Sequence, residues 1–197
     1  MRRAVRLEYA TNGWNAIEAV LALVFGIVAG SLALTAFGID SVIEVFSALV
    51  VLRELRSHED HVHQGAGAER MFLRVIGVTF FLLAAYVVIG AAYDLAARAR
   101  PEHSIAGIVL TAASFLTMSL LARAKHRTGH RINSLPLIAD SRETRLCSLL
   151  SLVTVVGLAL NAAFGWWWAD PVAALGIAFL AVQEGLEAIT GEHPEHH

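Results

Sequence analysis

Asp40 and Glu44 stand four residues apart, and Glu143 and Cys147 repeat that spacing later in the chain. On a helix each pair projects from a single face. Asp140, three residues before Glu143, lengthens the second pair into a polar stripe. Both pairs lie in apolar surroundings where bare carboxylates are costly, and the compensation that fits them is a metal cation. Three carboxylates and a thiolate from two facing helices make a tetrahedral donor set that suits zinc, with cobalt, manganese, cadmium and iron as alternatives. Asn15 and Glu18 sit one turn apart in the first apolar segment, where they could extend an entry path or hold a ligand in place.

Each of these residues also has a plainer reading. Asp40 and Glu44 could clamp helices together through Arg142 or Arg145, as intramembrane charges often pair with one another. Cys147 could be a small buried hydrophobe. Glu18 could make a polar packing contact with Arg145 or a helix end. His58, His61 and His63, with Glu59 and Asp60 between them, form either a low-affinity metal-capturing loop or a solvated one. The terminal His193, His196 and His197 carry little weight.

The elements that must position these groups follow from composition. Of the 197 residues 56% are hydrophobic and 16% charged, with a mean hydropathy of +0.60. That is far from a soluble domain and points to an integral membrane protein. Uncharged runs over 19–39, 75–93, 105–122 and 146–169 approach or exceed the roughly 20 residues that cross a bilayer as a helix. Gly30 and Ser31 split the first run, so the expected class is all-α and polytopic, with six transmembrane helices near 9–29, 33–55, 70–95, 104–124, 131–163 and 171–189. Residues 1–191 form one transmembrane domain and 192–197 a short tail.

Arg2, Arg3, Arg6, Arg53, Arg56, Arg70, Arg123, Lys125, Arg127 and Arg131 fall on one side of that arrangement, against Arg98 and Arg100 on the other. Basic residues in short loops stay in the cytoplasm, so both termini are expected there, in a plasma or inner membrane. The arginine-bearing start leads into a full-length span and has no cleavage pattern of a signal peptide. A single cysteine excludes an internal disulfide framework, and a net charge of −2 argues against a nucleic-acid partner. No His-Glu-x-x-His helix or serine–histidine arrangement supports an enzyme. Gly26 and Gly30 are spaced for close helix approach, Trp166–Trp168 for an interfacial belt, and Asp170 before Pro171 for a helix N-terminus.

The string Gly30-Ser31-Leu32-Ala33-Leu34, followed by Asp40 and Glu44, resembles the second-helix signature of the cation diffusion facilitators. The segment from Ala139 and Asp140 through Glu143 to Cys147 and Ser148 resembles that family's fifth-helix signature, and Ala169-Asp170-Pro171 the start of its sixth helix. Glu143 and Cys147 stand where histidine and aspartate are usual. The shorter plan, expected to lack the family's C-terminal cytoplasmic domain, and the Asn12, Asn15, Glu18 pattern are similar to the transmembrane-163-like branch. The resemblance implies a homodimeric, proton-coupled exporter of divalent cations, zinc first, with no prosthetic group. Metal would be bound at the midplane between the second and fifth helices and moved by alternating access. A non-transporting membrane protein that binds metal or modulates a partner is the alternative. Uncompensated acids at membrane depth weigh against a pure scaffold.

Overall fold

The computed structural model describes residues 2–57, 66–133 and 135–190. They form α1 (Arg2–Ala29), α2 (Leu32–Ser57), α3 (Ala66–Ala97), α4 (Ile105–Ile132), α5 (Leu135–Phe164) and α6 (Ala169–Thr190), with no strand among the described residues. Five of these helices are long and apolar enough to cross a membrane among the described residues, and the chain is a polytopic membrane protein. The loop with His58, His61 and His63 and the terminal histidines lie outside the described residues.

Helices adjacent in sequence pair as hairpins where glycine permits. Gly30 takes φ +63 and turns the chain between α1 and α2, a conformation that costs other residues a Cβ clash. A Cβ on Gly26 would lie 2.6 Å from Thr35 Oγ1 and 2.7 Å from its backbone N, so the two helices meet backbone to backbone. Of the two glycines expected to let helices approach, Gly26 serves packing within the chain and Gly30 serves the turn.

The hairpin α1–α2 and the hairpin α4–α5 close a four-helix group through contacts of α1 with α4 and α2 with α5. The helices α3 and α6 pair with each other and rest on α2 and α5. Phe37, Leu34, Met118, Ile177 and Val87 are completely buried at the centre. Outward faces carry Val20, Val24 and Ile27 on α1, Leu82 and Ile89 on α3, and Leu116 and Leu120 on α4, all exposed. Such a surface is abnormal in water and ordinary against lipid tails.

One end of the bundle is fastened by hydrogen bonds between separate links. Glu102 N donates to Ala29 O at 2.8 Å, and Asn161 Nδ2 donates to Pro101 O at 3.1 Å. The Asp170 carboxylate accepts from Leu32 N at 2.8 Å, Ala33 N at 3.3 Å and the Ser31 hydroxyl. Asp170 was expected to cap its own helix; it lies inside the first turn of α6 and caps α2 instead. Ser31 completes the cap by accepting from Leu34 N at 3.1 Å. The four free N–H groups that begin any helix need such partners, most of all when buried.

At the opposite end α4 runs on to Ile132 and stops where Asn133 adopts a left-handed conformation at φ 51. The basic stretch from Arg123 to Arg131, expected as a link, is thus helical, because nothing in it breaks a helix before Asn133.

Candidate functional site

The first half of α1 turns a polar face inward. Glu8, Thr11, Asn15 and Glu18 recur at intervals of three and four and are all buried, which is the spacing of one helix face. Beyond Glu18 the same face becomes Ala19, Ala22, Gly26 and Ala29, small enough to admit α2. The chain thus places polar groups and close packing on successive turns of one surface.

Asp40 of α2 is buried, and its Oδ2 has no hydrogen-bond partner in the protein. Glu44, one turn on, is half-buried and accepts from Asn15 Nδ2 at 2.9 Å. Glu18 accepts from Ser41 Oγ at 3.5 Å, with Ser114 and Trp14 also close to its carboxylate. Trp14 Nε1 in turn donates to Ser114 Oγ at 2.9 Å, tying α1 to α4. Cys147 of α5 is buried, and its thiol approaches Glu44. Asp40, Glu44, Glu18, Asn15 and Cys147 therefore converge from three helices, with α4 behind them.

Glu143, exposed on α5, lies within electrostatic range of Glu44 and is crowded by Asp140, Glu184 and Glu187. Asp140 is buried in an ion pair with Lys125. Among the described residues no three His, Cys, Asp or Glu side chains stand close enough together to hold a metal ion. Asp40 and Glu44 are paired with neither Arg142 nor Arg145, both of which are exposed and lie near His126.

Two features escaped the reading of the sequence. Lys125, counted there as a cytoplasmic loop charge, is completely buried and donates to Glu8 Oε2 at 3.1 Å as well as to Asp140. Its signal was the register of α4, which places it on the same face as Met118 and Ala122. Glu184 of α6 lies in electrostatic range of Asp40 and Glu143. An acid three residues before Glu187 in an otherwise apolar helix was the cue.

A groove of about 390 Å³ between α5 and α6 is lined by Leu152, Val156, Leu160, Trp168 and Val172. It is apolar and holds none of the carboxylates.

Comparison with known proteins gives a family match over most of the chain. The cation efflux transmembrane domain matches residues 13–190. An uncharacterized transporter of Synechocystis sp. is 28% identical over 184 residues, covering 90% of this chain and 59% of the relative. Magnetosome protein MamB of Magnetospira sp. is 24% identical, covering 83% of this chain and 57% of the relative. Transmembrane protein 163 of Xenopus laevis is 29% identical over 139 residues, 71% of this chain and 49% of the relative. The chain thus spans about half to three-fifths of the length of these curated relatives.

Proposed function

The chain belongs to the cation efflux family, and from that premise we propose that it exports a divalent metal cation, zinc first, from the cytoplasm in exchange for protons. The observation that carries this reading is the meeting of Asp40, Glu44 and Cys147 with Asn15 and Glu18 in the interior of a membrane bundle. Carboxylates so placed need a cation or a proton, and a dication competes with protons for the same oxygens. The thiol of Cys147 favours a borderline-soft ion over magnesium or calcium. Cobalt, manganese, cadmium and iron are the alternative cargo, and no prosthetic group is required.

In this reading Asp40 and Glu44 are the principal ligands, Cys147 a third and Glu143, within electrostatic range of Glu44, a fourth, and the cation draws together side chains that stand further apart without it. Asn15 orients Glu44, and Glu18 and Asp140 are accessory. Metal enters from the cytoplasmic side with both termini there, in a plasma or inner membrane. A homodimer follows from the family resemblance.

The test is zinc flux in proteoliposomes under an imposed pH gradient, comparing the intact chain with Asp40→Ala and Glu44→Ala. Flux that falls to the lipid background in both variants supports the proposal. Flux indifferent to the gradient rejects proton exchange. An intact chain that moves none of the five metals leaves the binding or partner-modulating role instead.

A further inference from the structure

Glu8 Oε1, Asn12 Oδ1 and Nδ2, Asn15 Oδ1, Glu18 Oε2 and Asp40 Oδ2 are buried side-chain atoms with no hydrogen-bond partner in the protein, and among the described residues they are all such atoms. They are not scattered: four of the five residues lie along one face of α1, and the fifth faces it from α2. Glu8, Glu18 and Asp40 are 0%, 0% and 2% exposed. Buried polar groups are almost always satisfied by protein, water or an ion. A continuous line of unsatisfied ones, about 15 Å from Glu8 to Glu18 at 1.5 Å per residue, marks a path for water and cations.

The path is capped by charge. At the Glu8 end the Lys125 ammonium sits between Glu8 and Asp140, all three buried. Two carboxylates around one ammonium leave a net negative site that a mobile cation could occupy equally well. Lys125 is tethered to α4, so it fills that position without leaving the protein.

We propose that this face of α1 is a hydrated conduit from the cytoplasmic end to the Asp40–Glu18 centre, and that Lys125 is its latch, a tethered cation that the transported dication displaces on entry. The conduit rests on the transport reading for its cargo, but its hydration does not. Glu8 and Asp140 draw the dication in once the ammonium leaves, and Asn12 and Asn15 supply oxygens along the way. Trp14 and Ser114 wall it on the α4 side.

The experiment is cysteine labelling from the cytoplasmic side with a small cationic methanethiosulfonate, in membranes. The intact chain, with buried Cys147 alone, sets the background, and Val20→Cys on the outward face of α1 is the lipid-side control. Asn12→Cys should react at least 10-fold faster than Val20→Cys. Adding Glu8→Gln, Lys125→Met and Asp140→Asn together, which removes the latch without stranding a charge, should raise that rate a further 10-fold. Glu8→Gln alone loosens the latch while keeping the Lys125–Asp140 pair, and should raise it about 3-fold if the triple variant does not fold. Asn12→Leu should cut zinc flux at least 10-fold while zinc bound per chain stays within 2-fold. Labelling of Asn12→Cys at the Val20→Cys rate, or a rate untouched by both latch variants, overturns the proposal. If the intact chain carries no metal, the transport reading fails on its own and the labelling rates still decide the conduit.

Discussion

Single residues in this protein act through the partners that burial forces on them. Asp170 is the clearest case. From the first turn of α6 it satisfies two backbone N–H groups of α2 and the Ser31 hydroxyl, so it is both a cap and a staple between helices distant in sequence. Asp170→Ala removes the acceptor and leaves the donors buried, which should cost about 1–3 kcal/mol. The midpoint of thermal unfolding in detergent should fall accordingly; an unchanged midpoint would mean that water caps α2 equally well. Lys125 shows the same logic with charge. Its ammonium survives burial because two carboxylates share it, an arrangement that tolerates loss of all three charges better than loss of one.

Whole elements are positioned by what they lack as much as by what they carry. The polar half of α1 can face inward because α2 and α4 supply Glu44, Ser41 and Ser114 opposite it, and the small half can do so because Gly26 offers no side chain. Gly26→Leu would place its Cβ inside the contact with Thr35. The backbone cannot yield there without parting the hairpin, so the variant should lose folded, monodisperse protein on size-exclusion chromatography, whereas Gly13→Ala, with open space around its Cβ, should elute as the intact chain does. The same close approach recurs at Gly157, where a Cβ would lie 2.5 Å from that of Ala173, and sets the spacing of α5 and α6.

For the molecule as a whole, the asymmetry between its two ends decides what can move. The end that carries Gly30, Ala99 and Trp166 is tied link to link by backbone and carboxylate hydrogen bonds. The other end carries the buried triad of Lys125, Glu8 and Asp140, and under the proposed latch it is the end that admits a cation. The outward faces place the bundle in lipid, and Val20→Arg, on the exposed side of α1, should raise the cost of membrane insertion by about 2.5–3.5 kcal/mol. An insertion assay on α1 would register this as a lower integrated fraction, and equal integration would count against a lipid-facing Val20.

Hydropathy and spacing by themselves determined that the chain is an all-helical membrane protein, because uninterrupted apolar runs of roughly 20 residues pair their backbone groups in a bilayer as helices, whereas the strands of a membrane barrel alternate apolar and polar residues. They also drew attention to Asp40, Glu44 and Cys147, since acids and a thiol at i and i+4 in apolar segments are rare enough to stand out. Register alone could not decide which residues meet. Glu143 has the right spacing to Cys147 and comes within electrostatic range of Glu44, but spacing gave no sign that Asn15 and Glu18 of α1 would take places beside Glu44 and Asp40. Lys125 resembled a loop charge in one dimension and is a buried counter-ion in three. The physical reason is that a helix face is fixed by local periodicity, whereas its neighbour is fixed by the shape of the whole bundle, and partners for a buried charge come from the neighbour.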